Sequence, residues 1–257
     1  MKKRTGILIA VTLILTLGIV FLFIIKPILP IQTESCADKE FLFTHSPIDL
    51  DSITSISPLG NLGPSAHTFP TRHTYINMKS IGDPSTGNQA TPEIPVYSPG
   101  DILVTGVSSQ EHIDEGFTDY TINFSSCVEV SGYFIHLVSL SGKLKDALDS
   151  SISFCTESSH GGERYKSCEG PANVKIVAGE QIGTTGRVGQ GNFDFGTQDS
   201  RRETPIFANP KRAQNKKDYI VCPYDYYAPG IKEELYAKLG GFSGIKRIIE
   251  PTQDRKL

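Results

Sequence analysis

Between residues 74 and 197 the chain is a series of short β-type runs, most of them closed by a turn signal, with a single short helical pattern among them. Thr74–Met78 (TYINM), Ile94–Tyr97 (IPVY) and Ile102–Val107 (ILVTGV) come first, and Ser98-Pro99-Gly100-Asp101 separates the last two. Asp119–Ser125 (DYTINFS) alternates apolar and polar residues, and Val128–Leu140 (VEVSGYFIHLVSL) is apolar and β-branched around Gly132. Asn173–Val177, Gln181–Thr184 and Gly191–Thr197 complete the series. Alternation with period two lets a strand bury one face, and turn-punctuated runs at this spacing predict a mostly β fold, an antiparallel sandwich or barrel. Two short helices are expected, Lys143–Ser150 and Ile231–Leu239. The second places Ile231, Leu235 and Leu239 on one face and ends at Gly240-Gly241.

The N-terminus predicts where such a domain resides. Lys2, Lys3 and Arg4 precede an uncharged run from Gly6 to Ile25, about the length that crosses a bilayer core as a helix. Basic residues at its start keep that end cytoplasmic and direct the remainder outward. The run ends in Phe-Leu-Phe-Ile-Ile-Lys-Pro without the small residues of a signal-peptide cleavage site, so it reads as an uncleaved single-pass anchor. The resulting division is an anchor over 1–26, a Pro-containing stem over 27–52, a β domain over 53–200 and a C-terminal extension with a helix over 201–257. Across the junction of the last two parts, Asp199–Lys217 reads as an exposed polar excursion.

Charge narrows the partners. The chain has 25 basic and 28 acidic residues, and four of the basic ones lie in the anchor, which has no acid. The exported part therefore holds 21 against 28, a net −7, which is no footprint for nucleic acid. Its five cysteines all follow the anchor, on the side where disulfides persist. Cys155 and Cys168 flank a polar, Gly-rich loop and are the first pair expected. Cys127 is left with Cys222 or Cys36, and the odd count leaves at least one thiol over.

Several motifs occur in a fixed order: His67 before a strand, Val96-Tyr97-Ser98-Pro99-Gly100-Asp101-Ile102-Leu103-Val104, Tyr120–Phe124, Gly132-Tyr133-Phe134-Ile135-His136-Leu137, and Gly179-Glu180-Gln181-Ile182-Gly183-Thr184-Thr185-Gly186 running into Asn192-Phe193-Asp194. This order resembles the lysostaphin-type murein endopeptidases over roughly residues 60 to 197. Those are zinc hydrolases of cell-wall peptides, built on the antiparallel β fold called a duplicated hybrid motif. The resemblance implies two histidines and one Asp on the metal, with further histidines beside it. A catalytic zinc needs three protein ligands and an open position for water, whose pKa it lowers.

Residue by residue the match is incomplete. His67 takes the place of the first metal histidine. The metal Asp falls on Thr71, or on Arg72 if one residue is inserted, and an Arg there would repel the ion. His136 matches a catalytic histidine. The closing His-x-His becomes Asn192-Phe193-Asp194, with Asn192 at the catalytic position and Asp194 at the metal position. The resemblance therefore implies a degenerate site and a non-catalytic domain that binds or scaffolds at the cell envelope, its partner a glycan, a peptide or a protein. Arg72 paired with Asp194 would then stand where the ion was. The alternative is an active zinc peptidase with His67, His73 and Asp194 as an altered ligand set, and a further alternative is a carbohydrate-binding module.

Overall fold

The computed structural model describes residues 34–61, 70–82, 90–152, 154–186, 192–205 and 216–240, all within one compact unit. The expected anchor and His67 lie outside the described residues, and no described helix is long and apolar enough to cross a membrane.

The described elements are β1 (Ile53–Ser57), β2 (Thr74–Met78), β3 (Ile94–Tyr97), β4 (Ile102–His112), β5 (Phe117–Ser125), β6 (Val130–Leu140), α1 (Gly142–Ser151), β7 (Phe154–His160), β8 (Glu163–Ile176), β9 (Gln181–Thr185), β10 (Asn192–Asp199), β11 (Ile220–Val221) and α2 (Ile231–Ala237). The fold is mostly β, as expected. Its strands form one open antiparallel sheet in the order β1-β2-β10-β6-β5-β4-β8-β7, with β11 on β10 and β9 bridging β3 and β6. The main path does not close on itself, so the sheet is open rather than a closed barrel.

Alternation sorts the side chains between two faces. Ile56, Ile76, Phe193, Phe195, Phe134, Phe124 and Ile122 point to one face and are fully buried or nearly so. Their rings stack, Phe124 on Phe134 at 4.8 Å and Phe134 on Phe193 at 5.5 Å between centroids. Residues 34–52, expected in the stem, supply Cys36, Phe43 and Ile48 to this core. The C-terminal segment adds Tyr224, Tyr226, Tyr227 and Leu235. Each fully buried aromatic or aliphatic side chain of this kind contributes about 1.5–3 kcal/mol of transfer free energy. These flanking segments are therefore part of the stabilising layer.

Two cross-links staple the domain. Cys155 bonds Cys168, as expected, and Cys36 bonds Cys127, which leaves Cys222 as the free thiol. The first pair does not bracket a loop. It joins β7 to β8 directly, and Gly161 and Gly162, at φ 63° and 91°, make the tight turn between them. Positive φ at both central residues is what a type I′ hairpin turn requires, and glycine adopts it without steric cost.

Asp199 begins the stretch expected to be an exposed excursion, yet it is fully buried. Its carboxylate accepts from Arg201 Nε and Nη2 at 2.9 and 2.8 Å, from the Arg201 backbone N–H at 2.9 Å and from the Tyr226 hydroxyl at 2.6 Å. Burial works to raise its pKa, but these donors outweigh it and hold the carboxyl down at about 2.

Candidate functional site

The opposite face of the sheet carries the polar residues of the same strands. On β10, Asn192, Asp194 and Gly196 alternate with the core phenylalanines. Asp194 lies directly across from Tyr75 on β2 and Ile135 on β6. This register gathers His73, Asp194 and His136, which lie between 58 and 121 positions apart in the chain. His73 Nε2 is 3.1 Å from Asp194 Oδ2, and His136 Nε2 is 3.5 Å from the same oxygen. Asn192 Nδ2 donates to Asp194 Oδ1 at 2.9 Å. Asp194 is only 3 % exposed, so these neighbours stand in for the water it has lost.

His136 is the least ordinary residue of the group. Its φ is 70°, in the left-handed region that non-glycine residues seldom occupy, at a cost of about 1–3 kcal/mol. The strand is irregular there. The β5–β6 register shifts between Tyr120 and Ile122, and the β6–β9 register shifts between Leu137 and Ser139. The distortion turns the ring across the face. Nδ1 meets Asp119 Oδ2 at 2.7 Å while Nε2 points toward Asp194. Burial disfavours a charged ring, but the hydrogen bond to Asp119 and the charges of Asp194 and Asp119 prevail and raise the His136 pKa.

A second layer holds His73. The Tyr133 hydroxyl lies 3.2 Å from His73 Nδ1 and donates to the Arg72 carbonyl at 3.3 Å. The Tyr133 ring crosses over Gly196, where an added Cβ would sit 2.2 Å from the ring. Glycine at 196 is thus a condition for Tyr133 reaching His73. Burial pushes the Tyr133 phenol up to about 12, and burial together with Asp194 raises Tyr75 as well, so both remain neutral donors near neutral pH.

The structure brings together four of the residues expected at the site, His73, His136, Asn192 and Asp194. Thr71 is buried beside them in sequence, but no described contact joins it to Asp194. The expected Arg72–Asp194 pair is not formed: Arg72 reaches Asp218, at 3.4 Å. The physical reason is strand alternation, since His73 is the neighbour that faces Asp194 and Arg72 points away. Asp119 and Tyr133 were missed as site residues. The alternation of Asp119, Thr121 and Asn123 against Ile122 and Phe124 already placed Asp119 on the polar face.

A zinc ion binds N and O ligands at about 2.0–2.1 Å in a tetrahedral set, which spaces donor atoms about 3.3 Å apart. His73 Nε2 and Asp194 Oδ2 meet that spacing. His136 does not complete the set, because its donor atoms and those of His73 and Asp194 do not all lie within 4.8 Å of one another. Among the described residues, the one group of three His, Cys, Asp or Glu with donor atoms all within 4.8 Å is Cys36, Cys127 and Glu129, where both sulfurs are already in a disulfide. The described residues therefore do not fit a three-ligand catalytic metal site. No protein-family model matches the chain, and no curated protein matches it either.

Proposed function

We propose that this chain is a non-catalytic binding domain of the cell envelope, with the duplicated-hybrid-motif architecture and the degenerate site of a lysostaphin-type peptidase. The observation that carries the reading is the position of His136 between Asp119 and Asp194. His73 and His136 both lie against Asp194 Oδ2, so this buried carboxylate has imidazole partners without an ion. The anchor expected at the N-terminus would hold the domain at the membrane surface.

The test uses the full chain purified in mild detergent. Elemental analysis after equilibration with zinc should give well under one ion per chain, and the protein should co-sediment with isolated cell-wall sacculi without releasing peptide. Stoichiometric zinc that disappears in Asp194→Asn would refute the reading. A second reading, an active zinc peptidase, draws support from the 3.1 Å separation of His73 Nε2 and Asp194 Oδ2. It requires His67 as the third ligand, so His67→Ala should abolish zinc binding if that reading is right.

A further inference from the structure

The two disulfides stand in opposite surroundings. Cys36 and Cys127 are each 1 % exposed and belong to the hydrophobic core. Cys155 and Cys168 join β7 to β8 at directly opposed positions. β7 ends the sheet on its side, pairs among the described residues with β8 alone, and has all seven of its residues exposed. The two halves of this bridge differ as well, because Cys155 is exposed whereas Cys168 is only 9 % exposed.

Thiol–disulfide exchange begins when a thiolate attacks one sulfur of the bond, so access selects both the disulfide that reacts and the sulfur that is attacked. The core bridge offers no approach, and Cys155 does. Opening the outer bridge leaves the core packing intact, since β7 buries no side chain. The hairpin also has other ties. Seven opposed residue pairs and the Gly161-Gly162 turn keep Cys155 across from Cys168 when the bond is broken. A freed Cys168 thiol therefore stays beside whatever Cys155 carries, and proximity makes its return attack effectively unimolecular. Cys222 does not compete. Burial is the main cause that pushes its thiol up to about 11, so little of the attacking thiolate exists there near neutral pH.

We infer that Cys155 is a site of reversible modification by a small thiol, with Cys168 as the resolving cysteine, and that Cys36–Cys127 is the permanent staple. The small thiol's thiolate attacks Cys155 Sγ, an S–S bond forms between them, and the Cys155–Cys168 bond breaks. Cys168 leaves with the electron pair and takes a proton from water. In the return step the Cys168 thiolate attacks Cys155 Sγ and expels the small thiol, so the cycle needs no other oxidant or reductant. The inference does not depend on the envelope-binding reading.

The experiment incubates the full chain, purified in mild detergent, with reduced glutathione, quenches by alkylation and locates adducts by peptide mass mapping. Cys155–Cys168 should open about ten-fold faster than Cys36–Cys127 or more, and the first glutathione should sit on Cys155. Opening rates within about two-fold of each other, earlier opening of Cys36–Cys127, or glutathione carried first by Cys168 would each overturn the inference. When free glutathione is removed by gel filtration, the wild-type adduct should decay as Cys155–Cys168 re-forms. In Cys168→Ser loaded with glutathione disulfide, the adduct on Cys155 should persist. Equal persistence in both proteins would also overturn the inference. The wild-type measurements need no variant, so they decide the matter even if Cys168→Ser misfolds.

Discussion

Replacing Asp199 by Asn keeps the side chain's shape and removes its charge. In the native protein four donors converge on the two carboxylate oxygens, and the side chain is fully buried. Asn can present one acceptor oxygen and must turn its NH2 toward the other donors. If the NH2 takes the Oδ2 place, the Tyr226 hydroxyl can rotate to accept from it, but Arg201 Nη2 is left facing a donor. A hydrogen bond to a charged group is worth about 1.5–3 kcal/mol, and breaking a buried pair costs about 3–5 kcal/mol. Arg201 is 38 % exposed and can turn to water, so we expect about 2–3 kcal/mol, a melting temperature lower by roughly 4–12 °C for a domain of this size.

The acid limb gives an independent check. The Asp199 pKa is depressed from 3.8 to about 2, a shift worth about 2.4 kcal/mol before solvent screening and about 1–2 kcal/mol after it. A depressed carboxylate contributes its stability above the unfolded pKa and loses it as pH falls through the folded pKa. The gap between wild type and Asp199→Asn should therefore narrow from pH 4 to pH 2. Urea melts of both proteins, with Tyr226→Phe and the double variant to measure coupling, test this. A gap below about 0.5 kcal/mol at pH 7, or one that does not change between pH 4 and pH 2, would refute the reasoning.

Four further outcomes are expected. The raised His136 pKa makes its contribution complete below its unfolded pKa, near 6.5, and lost as pH rises through the folded value; urea midpoints should fall from pH 6.5 upward in wild type and less so in His136→Gln. Because His136 has φ 70°, His136→Gly should be more stable than His136→Ala by about 1 kcal/mol, the reverse of the order in a regular strand. Gly196→Ala drives a methyl into the Tyr133 ring and should cost about 1–3 kcal/mol, with loss of the His73–Tyr133 contact visible as a shifted imidazole signal by NMR. Loop-closure entropy predicts about 3 kcal/mol for removing Cys155–Cys168 and roughly 4.5 kcal/mol for Cys36–Cys127, whose separations are 13 and 91 residues; paired Ser variants compared in chemical denaturation measure the order.

Local pattern alone located much of the sheet. Thr74–Met78 and Ile94–Tyr97 match β2 and β3 in both bounds, because alternation and flanking turn residues are local signals. The pattern failed where burial does not alternate. Every residue of β7 is exposed, so FCTESSH carries no apolar period, and the Gly161-Gly162 turn signal was read as a loop. Residues 34–52 failed for the opposite reason: Phe43 and Ile48 are isolated apolar residues among prolines and polar residues, and only packing against Phe195 and Tyr226 marks them as core.

The residues of the candidate site were legible as a set, because His73, His136, Asn192 and Asp194 carry the chemistry and stand in recognisable surroundings. Their pairing was not. Whether Asp194 meets Arg72 or His73 depends on which side of β2 each points and on the β2–β10 register, and a shift of one residue would exchange them. Sequence by itself determined a β-rich chain with more acidic than basic residues and an odd number of cysteines. Tertiary structure decided that His136 leaves the regular strand geometry to lie between two carboxylates, because that choice rests on contacts among strands 17 and 58 residues away in the chain.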